Sequence, residues 1–306
     1  MKKLRGIKLL GIVIGVVALY LSVKNMDKVA LASAWASANL VWFIPVILCN
    51  FIVLAIKAVR WRVMTPPAKD IGSFAFFRAL VIGYMANNVL PARIGEVVRI
   101  HMLGKDALIS RVTTTASVIS DRIIEGVGLL VLAMCLSSFS TVPVWMERGL
   151  IITLMVVFGL LIAALIYSKK GLKNEWLIKF QDGLKGIANL NTSARGFFLS
   201  IVSWLVQCLM IYMTQIAFGV HLPLVSVLLV IVAVNIAIAV PSAPANLGTF
   251  ELACILAYSS LGVDKNLGLL IGAMYHILQV LPVIITGGML LIFQSYRPPV
   301  RLVDVT

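Results

Sequence analysis

Charge is scarce in this chain, and negative charge is scarcest. Only 12% of its 306 residues are charged, with 12 Asp+Glu against 26 Lys+Arg. A soluble domain carries about 25% charged residues and is about half apolar. Here 61% of residues are hydrophobic and the mean hydropathy is +1.03, which excludes a soluble globular fold and a disordered chain alike. Histidine is nearly absent, at three residues, and no two stand at ligand spacing. The four cysteines, Cys49, Cys135, Cys208 and Cys254, all lie in apolar runs and never in C-x-x-C spacing. They read as small packing residues, and neither a disulfide framework nor a metal site nor a cofactor is expected. An Asp-rich motif and a Ser/His arrangement are also missing, so hydrolytic chemistry has no obvious machinery. Strands of alternating polarity are missing too, which argues against a β-barrel.

What the chain has is long apolar runs, at 7–23, 41–59, 71–90, 113–141, 149–167, 196–218, 223–240, 245–261 and 267–293. The expected fold is an all-α polytopic membrane protein in a single transmembrane domain, 1–306. The first run follows the basic MKKLRGIK and resembles a signal peptide, but the small residues Ala36-Ser37-Ala38 lie too far beyond it for cleavage to be expected. Between 172 and 190 the pattern changes. Leu172, Trp176, Leu177, Phe180, Leu184 and Ile187 form one apolar face, with Lys173, Lys179, Asp182 and Lys185 largely off it. This predicts an amphipathic helix lying in the membrane interface.

The basic excess tests sidedness. With the N-terminus inside, only Lys24, Lys28, Arg148 and Lys265 of the 26 basic residues fall outside. Both termini are then cytoplasmic, and the +14 net charge reports the positive-inside rule rather than a nucleic-acid surface.

Pro91-Ala92-Arg93-Ile94-Gly95 recurs as Pro244-Ala245-Asn246-Leu247-Gly248, half a chain later. A glutamate follows each copy, Glu96 at once and Glu251 after two more residues. Each copy interrupts an apolar run at a proline, so helix breaks are expected at Asn88, Pro91 and Gly95 and at Pro244, Asn246 and Gly248. Alternation places the two hairpins in opposite orientations. Halves 41–141 and 196–293 then form an inverted repeat, with about six full spans and two re-entrant-like hairpins. Broken helices at matching points of such halves mark transport sites.

Seven charges lie in or beside apolar runs: Arg93, Glu96, Arg99, Asp121, Arg122, Glu125 and Glu251. A charge at a membrane-helix centre costs about 2.5–3.5 kcal/mol, so these residues must pair or line a wet cavity. Arginine forks suit phosphate, and the helix that starts after each proline offers free N–H groups. A lipid head-group site is one expectation and a buried ion-pair network the other. For Lys57, Arg60, Arg62 and Arg78 the ion-pair or snorkelling role is preferred. Asn87, Asn88, Asn235 and Asn246 are expected to cap the hairpins, His276 to be hydrogen-bonded core and Trp204 to be packing.

The stretch from Asn87 to Arg99 resembles the N-x-x-P-x-R-x-G-E-x-x-R signature of the flippase-like family named for the transmembrane region of lysylphosphatidylglycerol synthase, the multiple peptide resistance factor. Ser120-Asp121-Arg122-Ile123-Ile124-Glu125 is similar to its acidic-Arg-Leu-x-acidic element, with both acids swapped. Pro244 to Glu251 is similar to its P-G-G-L-G-x-x-E element, with Ala245 and Asn246 standing where glycines are usual. Arg60-Trp61 resembles its R-W pair. The resemblance implies a location in the cytoplasmic membrane and a lipid flippase or scramblase for an anionic or aminoacylated phospholipid or a polyprenyl phosphate. Lysyl transfer is not implied, because the synthase domain is not among these residues. The alternatives are a membrane-embedded enzyme or an accessory subunit acting on such lipids. The expected partners are membrane lipids, with a homo-oligomer or a lipid-modifying enzyme also open.

Overall fold

The computed structural model describes residues 2–24, 26–68, 70–90, 93–137, 144–168, 174–239 and 243–295. These form twelve α-helices with short turns, and no strand occurs among the described residues. A chain this apolar must satisfy its backbone within each segment once water is gone, and only the helix does so locally.

In chain order the helices are α1 (Lys2–Val23), α2 (Lys28–Ala36), α3 (Phe43–Val63), α4 (Ser73–Val89), α5 (Gly95–Asp106), α6 (Arg111–Ser137), α7 (Val144–Ser168), α8 (Glu175–Ala188), α9 (Leu190–Ala217), α10 (Leu224–Ala239), α11 (Thr249–Ser260) and α12 (Lys265–Ser295). Among the described residues, four stretches are long and apolar enough to cross a membrane: Leu40–Val63, Glu147–Ser168, Leu190–Ala217 and Lys265–Phe293. They coincide with four of the expected spans. The protein is therefore a multi-pass, helical membrane protein. Helix α8 occupies the expected amphipathic stretch and begins after Asn174, whose side chain accepts from the Trp176 N–H. Residues 172 and 173 lie outside the described set.

Helices α3 and α9 lie side by side at the centre, while α7 packs at the periphery against α6, α8 and α10. One hydrophobic cluster, including Val53, Trp204, Met210, Ile231, Cys254, Tyr258 and Ile271, surrounds α9, α10 and α11. A second, including Leu54, Trp61, Phe76, Leu80, Leu103 and Val283, surrounds α4 and α5.

Two helix breaks interrupt this frame. The first separates α4 from α5, where Arg93 takes a left-handed φ of 51°. Pro91 and Ala92 lie outside the described residues. The second separates α10 from α11, with Ala245, Asn246 and Gly248 all left-handed, at φ 54°, 58° and 86°. Glycine is required for packing at both. A Cβ on Gly95 would stand 1.8 Å from the Gly83 carbonyl oxygen, and one on Gly248 would stand 2.2 Å from the Gly15 carbonyl oxygen. The first pair sets α5 against α4, and the second sets the break against α1.

Helix α12 touches both hairpins. Gly268 and Gly272 fit against Tyr258 and Cys254 of α11, and Gly287 fits against Met85 of α4. Pro282 lies between these contacts. Its missing N–H leaves the Leu278 carbonyl without an intrahelical partner. Asn50 of α3 donates through Nδ2 to the Leu278 and Gln279 carbonyls, at 3.4 and 3.1 Å.

Candidate functional site

The charged residues of α3, α5 and α6 meet in one connected chain. Lys57 Nζ lies 2.8 Å from Glu125 Oε1. Arg60 donates to Asp121 twice, from Nε at 2.7 Å and from Nη2 at 3.3 Å, and also lies 3.4 Å from Glu125. Arg122 bridges onward, with Nη1 2.7 Å from Glu125 Oε2 and Nη2 2.8 Å from Glu96 Oε1. Arg99 Nε completes the chain at 2.7 Å from Glu96 Oε2.

Burial divides this chain into two zones. Arg60 and Asp121 are 0% and 1% exposed at the side chain, whereas Arg122 and Glu96 are 39% and 29% exposed, with Arg99 buried beneath Glu96. The inner zone is protected by its pairing, because a buried charge that loses its partner costs about 3–5 kcal/mol. Aromatic faces back three of the cations: Trp204 beside Lys57, Trp61 beside Arg99 and Tyr84 beside Arg122, at 5.6, 5.1 and 5.7 Å from ring centre. Such contacts stabilise desolvated cations. The two tryptophans are themselves anchored. Trp61 donates to Ser117 Oγ and Trp204 to the Glu125 carbonyl, both at 3.1 Å. Trp204 is therefore more than packing.

Five of the seven expected site residues thus come together: Glu96, Arg99, Asp121, Arg122 and Glu125. Arg93 stands at the exposed turn just before them. It donates to the Ile238 carbonyl of α10 and so reaches across to the second hairpin. Glu251 lies apart, at the start of α11. Its Oε2 accepts from the Gly248 N–H at 2.7 Å, and its Oε1 lies 2.6 Å from His276 Nδ1, a ring stacked on Phe250. Among the described residues Glu251 joins no arginine.

The free N–H groups expected at the helix starts are partly used. Asn87 Oδ1 accepts from the Gly95 N–H at 2.7 Å, as its capping role required, and Glu251 does the same for Gly248. Asn235 instead bonds Ile231 within its own helix. Asn88 lies in the last turn of α4, and Asn246 sits in the turn Pro244–Asn246. Arg78 pairs with Asp106, and Arg62 bonds the Ile71 carbonyl and Ser73.

Lys57 and Arg60 belong to the network and were not among the expected site residues. A usable signal existed: two cations one turn apart inside an apolar run, next to the Trp61 of the R-W pair. Positive charge near the end of a span reads equally well as snorkelling, and only the packing of α3 on α6 separates the two. Among the described residues no group of three or more His, Cys, Asp or Glu stands together as a metal site.

Comparison with known proteins follows the same lines. The chain is 24% identical over 290 residues to a UPF0104 membrane protein of Methanothermobacter thermautotrophicus, covering 83% of this chain and 86% of that one. It is 26% identical over 218 residues to a UPF0104 membrane protein of Methanocaldococcus jannaschii, covering 67% of this chain and 92% of the other. No solved structure matches. The family model of the lysylphosphatidylglycerol synthase transmembrane region matches residues 8–287, so the chain belongs to that family.

Proposed function

We propose that this protein moves a lipid with an anionic or aminoacylated head group between the leaflets of the cytoplasmic membrane, with both termini on the cytoplasmic side. The carrying observation is the connected chain of seven charges on α3, α5 and α6, in which Arg122 and Glu96 are partly exposed between the buried Arg60–Asp121 pair and the buried Arg99. A head group in hydrocarbon needs such a polar partner, while its acyl or polyprenyl tails need none. Arg93 and Arg122, the accessible cations of the group, would hold the phosphate. Glu96 would orient Arg99 and Arg122, and the inner zone would fix the whole.

The inverted repeat of 41–141 and 196–293 belongs to this proposal. Each half runs long helix, helix, break, helix, long helix. The neighbours match as well, since α4 packs on α12 and α10 packs on α6. Arg93 and Asn246, equivalent in the repeated motif, both take a left-handed φ. Opposed hairpins of this kind can open a shared groove alternately to the two sides. The amphipathic α8 would lie along the cytoplasmic surface.

The test is leaflet exchange. The protein is reconstituted in liposomes with head-group-labelled phospholipids, and the outer-leaflet label is followed over time. Exchange above protein-free liposomes, reduced in Arg93→Ala and Glu96→Gln variants, is the expected result. No exchange for any anionic or aminoacylated lipid would falsify the proposal.

A further inference from the structure

The charges of the network do not balance, and the imbalance lies at one end. In the inner zone, Lys57 and Arg60 face Asp121 and Glu125, two cations to two carboxylates. In the outer zone, Arg99 and Arg122 share the single carboxylate of Glu96, and Arg122 also reaches the inner Glu125, so that with Arg93 five cations meet three carboxylates. Arg93, three residues before Glu96, joins no carboxylate among the described residues. The outer zone therefore carries two positive charges in excess. A second observation falls in the same place. Arg99 is fully buried, yet both its Nη1 and Nη2 have no hydrogen-bond partner among the described residues, against a single such nitrogen, Nη1, on the inner Arg60. Buried guanidinium donors without acceptors are rare and costly, and a missing anion is one standard explanation.

We infer that the outer zone, built from Arg93, Arg99, Arg122 and Glu96, takes a lipid whose head group ends in a phosphate with two negative charges. This rests on the transport proposal and narrows its substrate class. Two charges in a weakly screening environment call for two opposite charges. A phosphodiester lipid supplies one negative charge. A lysine-esterified phosphatidylglycerol carries a net positive charge and would add to the excess. A terminal phosphate supplies two charges and three acceptor oxygens, enough for Arg93 and for the Arg99 nitrogens that lack an acceptor.

The experiment separates binding from movement. The full chain, in an uncharged detergent, is titrated with dioctanoyl phosphatidic acid, dioctanoyl phosphatidylglycerol and inorganic phosphate, and each Kd is measured. Phosphatidic acid is expected to bind about tenfold more tightly than phosphatidylglycerol near neutral pH, about one decade being the scale of one well-placed charge contact. The ratio should shrink below about pH 6, where a phosphate monoester takes up its second proton. Arg93→Gln, at an exposed position, should weaken phosphatidic acid severalfold and phosphatidylglycerol little. Arg122→Lys keeps the charge that Glu96 and Glu125 need and should keep part of the preference. Equal or tighter binding of phosphatidylglycerol overturns the inference, as does inorganic phosphate binding as tightly as the lipid. A preference for phosphatidic acid without leaflet exchange supports the inference and sinks the transport proposal. Exchange with no preference does the reverse.

Discussion

At the first helix break the opening N–H of the new helix is held by an asparagine from the helix before it, Asn87. At the second break the N–H of Gly248 is held by a glutamate one turn further on, Glu251. That difference decides what each glutamate can do. Glu96, relieved of capping, is free to bridge Arg99 and Arg122. Glu251, engaged as a cap and paired with His276, is withdrawn from the arginines. The surroundings follow suit, with eight ionisable side chains gathered near the first break and one carboxylate–histidine pair at the second. One repeated motif thus serves as a charged centre in one half and as a structural joint in the other.

The strongest way to break this comparison is to remove a carboxylate from each side. Asp121→Ala leaves the fully buried Arg60 only its 3.4 Å contact with Glu125 and should destabilise the protein by up to about 3–5 kcal/mol, read from denaturant unfolding in mild detergent. Glu251→Ala leaves a backbone N–H and a histidine unpaired and should cost about 1–3 kcal/mol. Equal losses would mean that the second break is as electrostatically demanding as the first.

Steric substitutions sharpen it next. Gly95→Ala places a methyl 1.8 Å from the Gly83 carbonyl oxygen, so α4 and α5 must part, at an overpacking cost of about 1–3 kcal/mol. Because Glu96 is the next residue, lipid exchange should fall further than stability does. Gly248→Ala meets both a clash with α1 and a left-handed φ, and should lower stability without that selective loss of exchange.

Two smaller effects remain. Ala245 holds a left-handed φ of 54°, a conformation that costs an ordinary residue about 1–2 kcal/mol. Ala245→Gly should therefore stabilise the protein by up to about 1 kcal/mol, the entropy of glycine offsetting part of the relief. Arg93→Gly relieves the same strain at the first break but should weaken phosphatidic acid severalfold, as Arg93→Gln does. Last, Asn50→Leu removes the donor to the carbonyls beside Pro282 and should cost about 1 kcal/mol, measured by the same unfolding.

The glycine departures at Ala245 and Asn246 were legible as departures. What they mean was not. The backbone there keeps the left-handed geometry that glycine would take freely, so the pattern persists without its usual residues. The ions show a similar limit. Spacing put Glu96 with Arg99 and Asp121 with Glu125 on shared helix faces, because three or four residues make one turn. It could not bring Lys57 or Arg60 to those acids, nor take Glu251 away from the arginines.

Composition decided the solvent, and long apolar runs without alternating polarity decided the class of structure, since such runs satisfy their backbone in a bilayer as helices. The repeated Pro-Ala-x-x-Gly motif marked where those helices would break, because proline and left-handed residues are local properties of the chain. Which charges pair was decided by tertiary packing. Pairing depends on helices far apart in sequence, α3 on α6 and α5 on α6, and on one cap choice at each break that leaves Glu96 free and Glu251 engaged.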